Sequence, residues 1–291
     1  SSKSNKVSCI EYQPIIDGDP NDYSTIYTTL MKCIDFEKPN TTVVTFDLPI
    51  WVKAVDIIES QKLPILPRLG GFHLLKSFLG TFGSIFADSG LHDLIQLVYP
   101  GQVAADNILN GNSFDKAIRA HFLIDAAIVQ HIFPPEESFT EIEISQMKEV
   151  IKNVLNEPFQ INDTGRYFVD LFGEKLEKRF NEFRIAGRTP LLWTLYHDMV
   201  DTIKIFIRAE RMGDFSLHLS CITARMLSVF AAAGHHHYAK AARLYVELMI
   251  LYEGSEKKSS TIKSYKTDAS HVVRYSPYEW SGIWSDLSIE Q

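Results

Sequence analysis

The chain has 291 residues, of which 45% are hydrophobic and 12% aromatic, and its formal net charge is −7. This length and apolar content suffice for one large globular domain or two packed ones, which excludes an intrinsically disordered chain. The negative charge argues against a broadly basic surface that holds nucleic acid mainly by phosphate contacts, so any nucleic-acid binding must be local. Three widely spaced cysteines, Cys9, Cys33 and Cys221, argue against a disulfide framework or a cysteine zinc site and favour an intracellular, reduced protein.

No apolar stretch reaches the roughly 18 to 20 residues that a membrane-spanning helix requires, because Lys76, Asp88 or Arg225 interrupts each one. The first residues lack the apolar core of a signal peptide. The last residues stop within an amphipathic segment. We therefore expect no membrane span, and we expect this sequence to be a fragment of a longer protein.

A βα pattern occupies the first 89 residues. The predicted elements are a helix over 21–36, a strand over 43–46, a helix over 49–60, a strand over 63–69 and a helix over 72–87. Pro49 suits the first turn of the second helix. Two prolines in the second strand favour an edge or bulged strand. The pattern predicts a small sheet with helices packed on it.

From about residue 90 to residue 254 the pattern is almost entirely helical. Ser138 and Glu141 have the spacing of a capping box at the start of one of these helices. Helices are also predicted from Asn112 through Ile128 and over 166–183, 190–210, 215–233 and 238–252. A polar loop over 254–269 follows, then a short strand at 272–274 and a last helix from 283. We expect a predominantly helical α/β fold with a core over 1–89, an all-helical insertion over 90–254 and a return to the core over 255–291.

Asp47 is the first candidate for chemistry. A β-branched run closes on this residue, which puts its carboxylate at the carboxyl end of a strand, where α/β folds place ligands. Metal-dependent phosphoryl transfer needs a second carboxylate, and Glu290, with Asp286 one helical turn before it, is the natural supplier. The alternatives are that Asp47 only caps the next helix and that the other two acids lie on an exposed helical face.

Histidines and lysines give weaker signals. His73 follows Gly70-Gly71 at a helix start, and its default interpretation is a buried, hydrogen-bonded residue that orients local structure. Adjacent histidines such as His235 to His237 point in different directions on a helix and rarely bind one ion. The best local candidates for nucleic-acid binding are four lysines in a Ser/Thr-rich stretch, although a solvated loop explains them as well. They are Lys257, Lys258, Lys263 and Lys266.

The order strand–Asp47, helix, strand, then Gly71-Phe72-His73 opening an apolar helix is similar to the second-acid block of Mutator-like and related DDE/D transposases. Those enzymes have a ribonuclease-H-like core, and a long helical insertion precedes their catalytic Glu. Most of the chain also resembles transposon-derived open reading frames dispersed in invertebrate genomes. The strings that match these reading frames are residues 22–28, 45–49, 69–73, 206–211 and the tail from Val272 to Gln291.

The resemblance implies a small ribonuclease-H-like sheet, with Asp47 as the second metal-binding acid and Glu290 as the third. His73 and Asp286 would support them, with Mg²⁺ or Mn²⁺ as cofactor. It also implies a nuclear protein whose longer form binds the DNA of transposon ends, with homo-oligomerisation left open. One departure is the first acid, because Asp17 and Asp19 have the pattern of a turn. That acid has been lost or precedes this sequence.

Three functions compete. The leading hypothesis is metal-dependent cleavage and strand transfer on DNA, by a longer protein rather than by this fragment alone. The second is a domesticated or inactive transposase core that binds protein or DNA through its helical insertion, which the missing first acid and the negative charge favour. The third is a histidine–metal hydrolase that uses His235 to His237.

Overall fold

The computed structural model describes residues 13–36, 41–134, 138–156 and 162–268. In chain order the elements are α1 (Tyr23–Phe36), β1 (Thr42–Phe46), α2 (Leu48–Gln61), β2 (Ile65–Leu69), α3 (Gly71–Ile85), α4 (Leu91–Val98), α5 (Gln102–Leu109), α6 (Phe114–Ile132), α7 (Glu141–Asn156), α8 (Asp163–Ala186), α9 (Arg188–Met212), α10 (Phe215–Cys221), a π-helical segment (Ile222–Met226), α11 (Leu227–Ala232), α12 (His236–Glu253) and α13 (Ser259–Asp268). Most of these residues are helical, which confirms a predominantly helical α/β class.

The chain divides into two compact units. Among the described residues, the first contains those up to Ala117 and those from Thr202 onward, and the second is formed by those of Ile118–Asp201. The first unit is therefore built from two separate parts of the sequence, and both strands lie in the earlier part. In the described part of the second unit, all the regular elements are helices.

The sheet consists of β1 and β2 in parallel, with Thr42 opposite Ile65 and Phe46 opposite Leu69. All five residues of β2 are buried, whereas burial alternates along β1, so β2 is covered on both faces. A buried apolar cluster from α1, α2 and both strands forms the core beside the sheet. Its members are Ile26, Leu30, Val44, Ala54, Ile57, Ile58 and Ile65. Because α2 begins directly after β1, this cluster fixes the position of the loop that contains Asp47.

Glycines allow α3 to pack closely against the turn between α5 and α6. A methyl group at Gly80 would lie 3.2 Å from the backbone oxygen of Asn110, and one at Gly83 would lie 3.2 Å from that of Leu109. Gly111 has φ +71°, and a methyl group there would overlap Lys76 O. The Gly80-x-x-Gly83 spacing therefore serves helix packing.

The segment Phe215–Ala232 is apolar and long enough to span a membrane by composition, and a third of it is buried inside the protein. Buried core helices pass the same test. The segment contacts α3, α12 and α13, and Phe215, His218 and Phe230 are among its buried residues. The expected absence of a membrane span stays a prediction.

Two local predictions were wrong. Residues 259–268, expected within a polar loop, form α13, because Ile262 and Tyr265 are three residues apart and both are 1% exposed. The Ser/Lys-rich composition hid these two apolar anchors. The capping box of α7 is formed by Thr140 and Glu143, not by Ser138 and Glu141: Thr140 N donates to Glu143 Oε2 at 2.8 Å, and Glu143 N donates to Thr140 Oγ1 at 3.3 Å.

Candidate functional site at the carboxyl edge of the sheet

Asp47 lies at the carboxyl edge of the sheet, directly after β1. The neighbouring strand ends at the same edge, where Gly70 N donates a hydrogen bond to Phe46 O at 2.9 Å. Two helices begin here, α2 after Asp47 and α3 after Gly70. The strand–acid–helix–strand–helix order predicted from the sequence is therefore present, with the acid at the expected edge.

The backbone and the carboxylate of Asp47 both cap α2. Its Oδ1 accepts a hydrogen bond from Ile50 N at 3.4 Å, and its carbonyl accepts one from Trp51 N at 2.8 Å. The φ of −66° and ψ of 167° are those of an extended N-cap residue. Asp47 is half-buried, and Oδ2 lies outside the capping bond. Asp47 is therefore an N-cap residue, its Oδ2 is not used by the capping bond, and its role in chemistry stays a prediction.

His73 lies in the first turn of α3, so it belongs to the same edge as Asp47. The residue is half-buried, and its ring packs edge-on against Phe72, with centroids 5.3 Å apart. Phe72 in turn packs on Phe114 at 4.8 Å. These ring contacts orient the start of α3, and the supporting role of His73 in chemistry stays a prediction.

Glu290 and Asp286 lie outside the described residues, so their roles as metal ligands also stay predictions. Within the described ranges, no group of three or more His, Cys, Asp or Glu residues could hold a metal ion. Carboxylate oxygens suit Mg²⁺, which proteins often bind through only one or two carboxylates, with water and substrate phosphates completing the shell. Asp47 therefore has the right donor type for Mg²⁺ or Mn²⁺, and a second acid must come from elsewhere.

The side chains of His235, His236 and His237 do not meet at one point. His235 is the N-cap residue of α12, and its Nδ1 lies 3.0 Å from Ser77 Oγ, whereas His236 and His237 are exposed. Burial lowers the pKa of His235. The third hypothesis is a hydrolase that binds a metal ion through these histidines. In the part of the chain that the structure describes, they do not belong to any group of three or more residues that could hold a metal ion.

The four lysines predicted to bind nucleic acid follow α12 and continue into α13. Thr41 Oγ1 donates to Lys257 O at 3.0 Å, and Lys258 Nζ lies 3.6 Å from Glu59 Oε1 and 3.8 Å from the centroid of the Tyr252 ring. Burial lowers the pKa of Lys258, and Glu59 opposes that shift. Lys266 pairs with Glu253, while Lys257 and Lys263 are exposed.

These lysines are distant from Asp47. Glu59, the partner of Lys258, lies in the last turn of α2, whereas Asp47 precedes the first turn. Twelve residues separate the two acids, which corresponds to about 18 Å along a helix. Lys258 and Asp47 are thus at opposite ends of α2 and do not form one site.

A buried ring of polar side chains lies beside the carboxyl end of β2, and the sequence did not reveal it. Arg68 Nη2 donates to Glu210 Oε2 at 2.7 Å, with both side chains no more than 3% exposed. His218 Nδ1 lies 2.5 Å from Glu210 Oε1, and Tyr245 OH lies 3.3 Å from His218 Nε2. Arg68 also hydrogen-bonds Tyr245, whose pKa is raised by burial. Four side chains from β2, α9, α10 and α12 close the ring.

A spacing rule could not have found this ring, because Arg68 and Glu210 are 142 residues apart. The signal was the charge of Arg68 within an otherwise apolar strand. A charged residue in a fully covered strand requires a buried counter-charge. The sequence did not indicate which acid would supply it.

The second unit contains its own buried polar contacts between α6 and α9. His121 Nδ1 lies 2.8 Å from Tyr196 OH, and His197 Nδ1 lies 2.7 Å from Asp125 Oδ1. Asp125 and His121 are fully buried. The His197 ring stacks on Phe180, with centroids 4.1 Å apart. This arrangement pairs the buried polar groups and orients the two helices.

A family model described as Domain of unknown function (DUF8702) matches residues 1–291. Neither the curated proteins nor the solved structures give a match.

Proposed function

The chain belongs to the DUF8702 family over its whole length, and we propose from its residues that it is a transposase-like catalytic core. In this proposal the β1–α2–β2–α3 unit is part of a ribonuclease-H-like sheet. Asp47 is a metal-binding acid of a site that cleaves and joins DNA phosphodiester bonds.

One observation carries the proposal: Asp47 directly follows a strand whose parallel neighbour ends at the same edge and leads into the helix that holds His73. The carboxyl edge of parallel strands is where open α/β sheets bind ligands. The half-buried Asp47 keeps Oδ2 outside its capping bond. A carboxylate at such an edge can cap a helix with one oxygen and bind a metal ion with the other.

In this function Asp47 and Glu290 would hold Mg²⁺ or Mn²⁺. The chemistry that a bound ion would supply is activation of a water or a 3′ hydroxyl and neutralisation of charge on the phosphate. The chain's own contribution is to fix Asp47 at the end of β1 through the capping bonds to α2 and the buried core beneath that helix. DNA is the proposed substrate.

The test uses two aspartates that cap helices in the same unit. Asp47 caps α2, and Asp214 caps α10 through a hydrogen bond from Leu217 N at 3.0 Å. Asparagine caps helices about as well as aspartate. We therefore expect Asp47→Asn and Asp214→Asn to unfold at the same urea concentration as the original chain.

Only Asp47→Asn is expected to lose Mn²⁺ binding, because it alone removes a charged ligand from the proposed site. Mn²⁺ binding to the full chain is measured by electron paramagnetic resonance, in which free and bound ion differ in signal. Equal affinity in both variants and in the original chain would refute Asp47 as a ligand. In a longer protein that cleaves DNA, Asp47→Asn should also abolish metal-dependent cleavage.

A second candidate function is a non-catalytic binding module derived from a transposase. The capping geometry favours it, because the bonds to Ile50 and Trp51 explain the position of Asp47 without any metal. Here the helical part of the chain would bind protein or DNA. Unchanged Mn²⁺ binding in Asp47→Asn, with the fold intact, would make this candidate the better one.

A further inference from the structure

The carboxylate of Glu210 lies against the first residue of α3. A methyl group at Gly71 would lie 3.2 Å from Glu210 Oε2 and 3.3 Å from its carboxyl carbon. A glycine at this position lets the carboxylate approach the backbone closely. A negative charge at a helix amino terminus is stabilised by the helix dipole. The start of α3 is therefore already occupied by a protein carboxylate.

Glu210 is itself held from two sides. Arg68 on β2 contacts Oε2, and His218 on α10 contacts Oε1. All three side chains are no more than 3% exposed. Because both oxygens have fixed partners, the carboxylate has little freedom to move relative to the end of β2.

The start of α3 is linked in turn to Asp47. Gly70 N donates to Phe46 O, and Phe46 directly precedes Asp47. A shift of the Gly70–Gly71 backbone would therefore displace the end of β1. The contacts run from Glu210 to Gly71, through Gly70 to Phe46, and reach the residue that the proposed function requires.

We infer that Glu210 is a positioning residue for the carboxyl edge of the sheet. Its carboxylate, fixed by Arg68 and His218, holds the start of α3 against the end of β1 and so keeps Asp47 in place. The inference rests on the proposed function for its consequence at Asp47. The positioning itself can be measured without metal.

The variants must separate positioning from loss of folding. Glu210→Gln alone leaves the buried charge of Arg68 without its counter-charge, which is strongly destabilising. The double variant Arg68→Met/Glu210→Gln removes both charges, and such replacements are often tolerated. Arg243→Met/Glu247→Gln is the matched control, because it makes the same two substitutions in an exposed ion pair of α12 that does not contact the carboxyl edge in the described contacts.

Amide hydrogen exchange measures the contact directly. The Gly70 amide, bonded to Phe46 O, reports the carboxyl edge, and the Tyr99 amide, bonded to Ile95 O at the end of α4, is the internal reference. In the double variant we expect Gly70 to lose protection relative to Tyr99, and in Arg243→Met/Glu247→Gln we expect no such loss. Mn²⁺ affinity should fall about 10- to 100-fold in the double variant, as for other residues that orient a ligand without touching the ion.

Unchanged Gly70 protection in the double variant, with folded circular dichroism, would overturn the positioning role whatever the Mn²⁺ result. If the double variant does not fold, Glu210→Asp replaces it: this variant keeps the charge but withdraws it from Gly71, and the same loss at Gly70 is expected. Absence of Mn²⁺ binding in the original chain would instead refute the proposed function. The hydrogen exchange of the Gly70 amide would then be the test of the positioning role of Glu210.

Discussion

At the scale of single residues, the structure shows the structural roles of two positions at the carboxyl edge of the sheet. Asp47 caps α2 with one oxygen, and Gly71 lacks a side chain where the Glu210 carboxylate approaches it. In both cases a local pattern in the sequence indicated that the position was special. Only the structure shows which partner makes it so.

Gly111 gives a direct test of the α3 packing. We expect Gly111→Ala to lower the free energy of unfolding by about 2 to 4 kcal/mol, because a non-glycine residue at positive φ is strained and the added methyl would crowd Lys76 O. The control is Gly173→Ala within α8, where nothing lies within 4 Å of the added methyl and a gain of about 0.5 to 1 kcal/mol is expected. Urea titration measures both changes, and equal effects would contradict the packing role.

Elements were predictable where the pattern is local. The β-branched run predicted β1. The position of Pro49 and the apolar spacing after it predicted α2, and Gly70-Gly71 marked the start of α3. Helix α13 was missed because its two buried residues stand in a polar sequence. The π-helical segment was missed because a π turn depends on how its neighbours pack, and the partners of Arg68 were missed because they lie far away in the sequence.

The contact between α6 and α9 predicts a pH dependence. Burial lowers the pKa of His121 from 6.5 to about 3, so between these values the folded chain binds fewer protons than the unfolded one. Stability is then complete above pH 6.5 and decreases as the pH falls. At about 1.36 kcal/mol per pH unit, this histidine alone should cost about 2 kcal/mol of stability between pH 6.5 and pH 5.

His121→Gln should remove that part of the pH dependence, because glutamine does not titrate in this range. His92→Gln, which changes a partly exposed histidine paired with Asp106, serves as the control. Urea unfolding at pH 7 and pH 5, followed by circular dichroism, provides the comparison. If His121→Gln and the original chain lose the same stability, the buried histidine is not the cause.

For the molecule as a whole, the negative net charge limits how nucleic acid could bind. A net charge of −7 leaves nucleic-acid affinity to local groups, and of the four predicted lysines only Lys257 and Lys263 are exposed without an ion pair among the described residues. Lys258 and Lys266 are paired with Glu59 and Glu253. The lysine segment and Asp47 are also at opposite ends of α2. DNA at the two places would have to extend along that helix.

We expect Lys257→Ala/Lys263→Ala to weaken duplex DNA binding by the full chain. The slope of log affinity against log salt should decrease by about 1.8, or about 0.9 for each phosphate that a lysine no longer neutralises. Lys148→Ala/Lys152→Ala, which removes two exposed lysines from α7, makes the same change in net charge and should leave that slope unaltered. Fluorescence anisotropy at several salt concentrations distinguishes the pairs, and identical slopes would exclude the predicted lysine site.

The most direct measurement is a crystal structure of the chain with Mn²⁺, in which the anomalous signal locates the ion. We expect a peak beside Asp47 Oδ2 and the carboxylate of Glu290 within about 6 Å of that of Asp47, as two acids sharing a metal site require. Wide separation of the two carboxylates, with no peak between them, would make Asp47 a helix cap alone and would contradict a catalytic core.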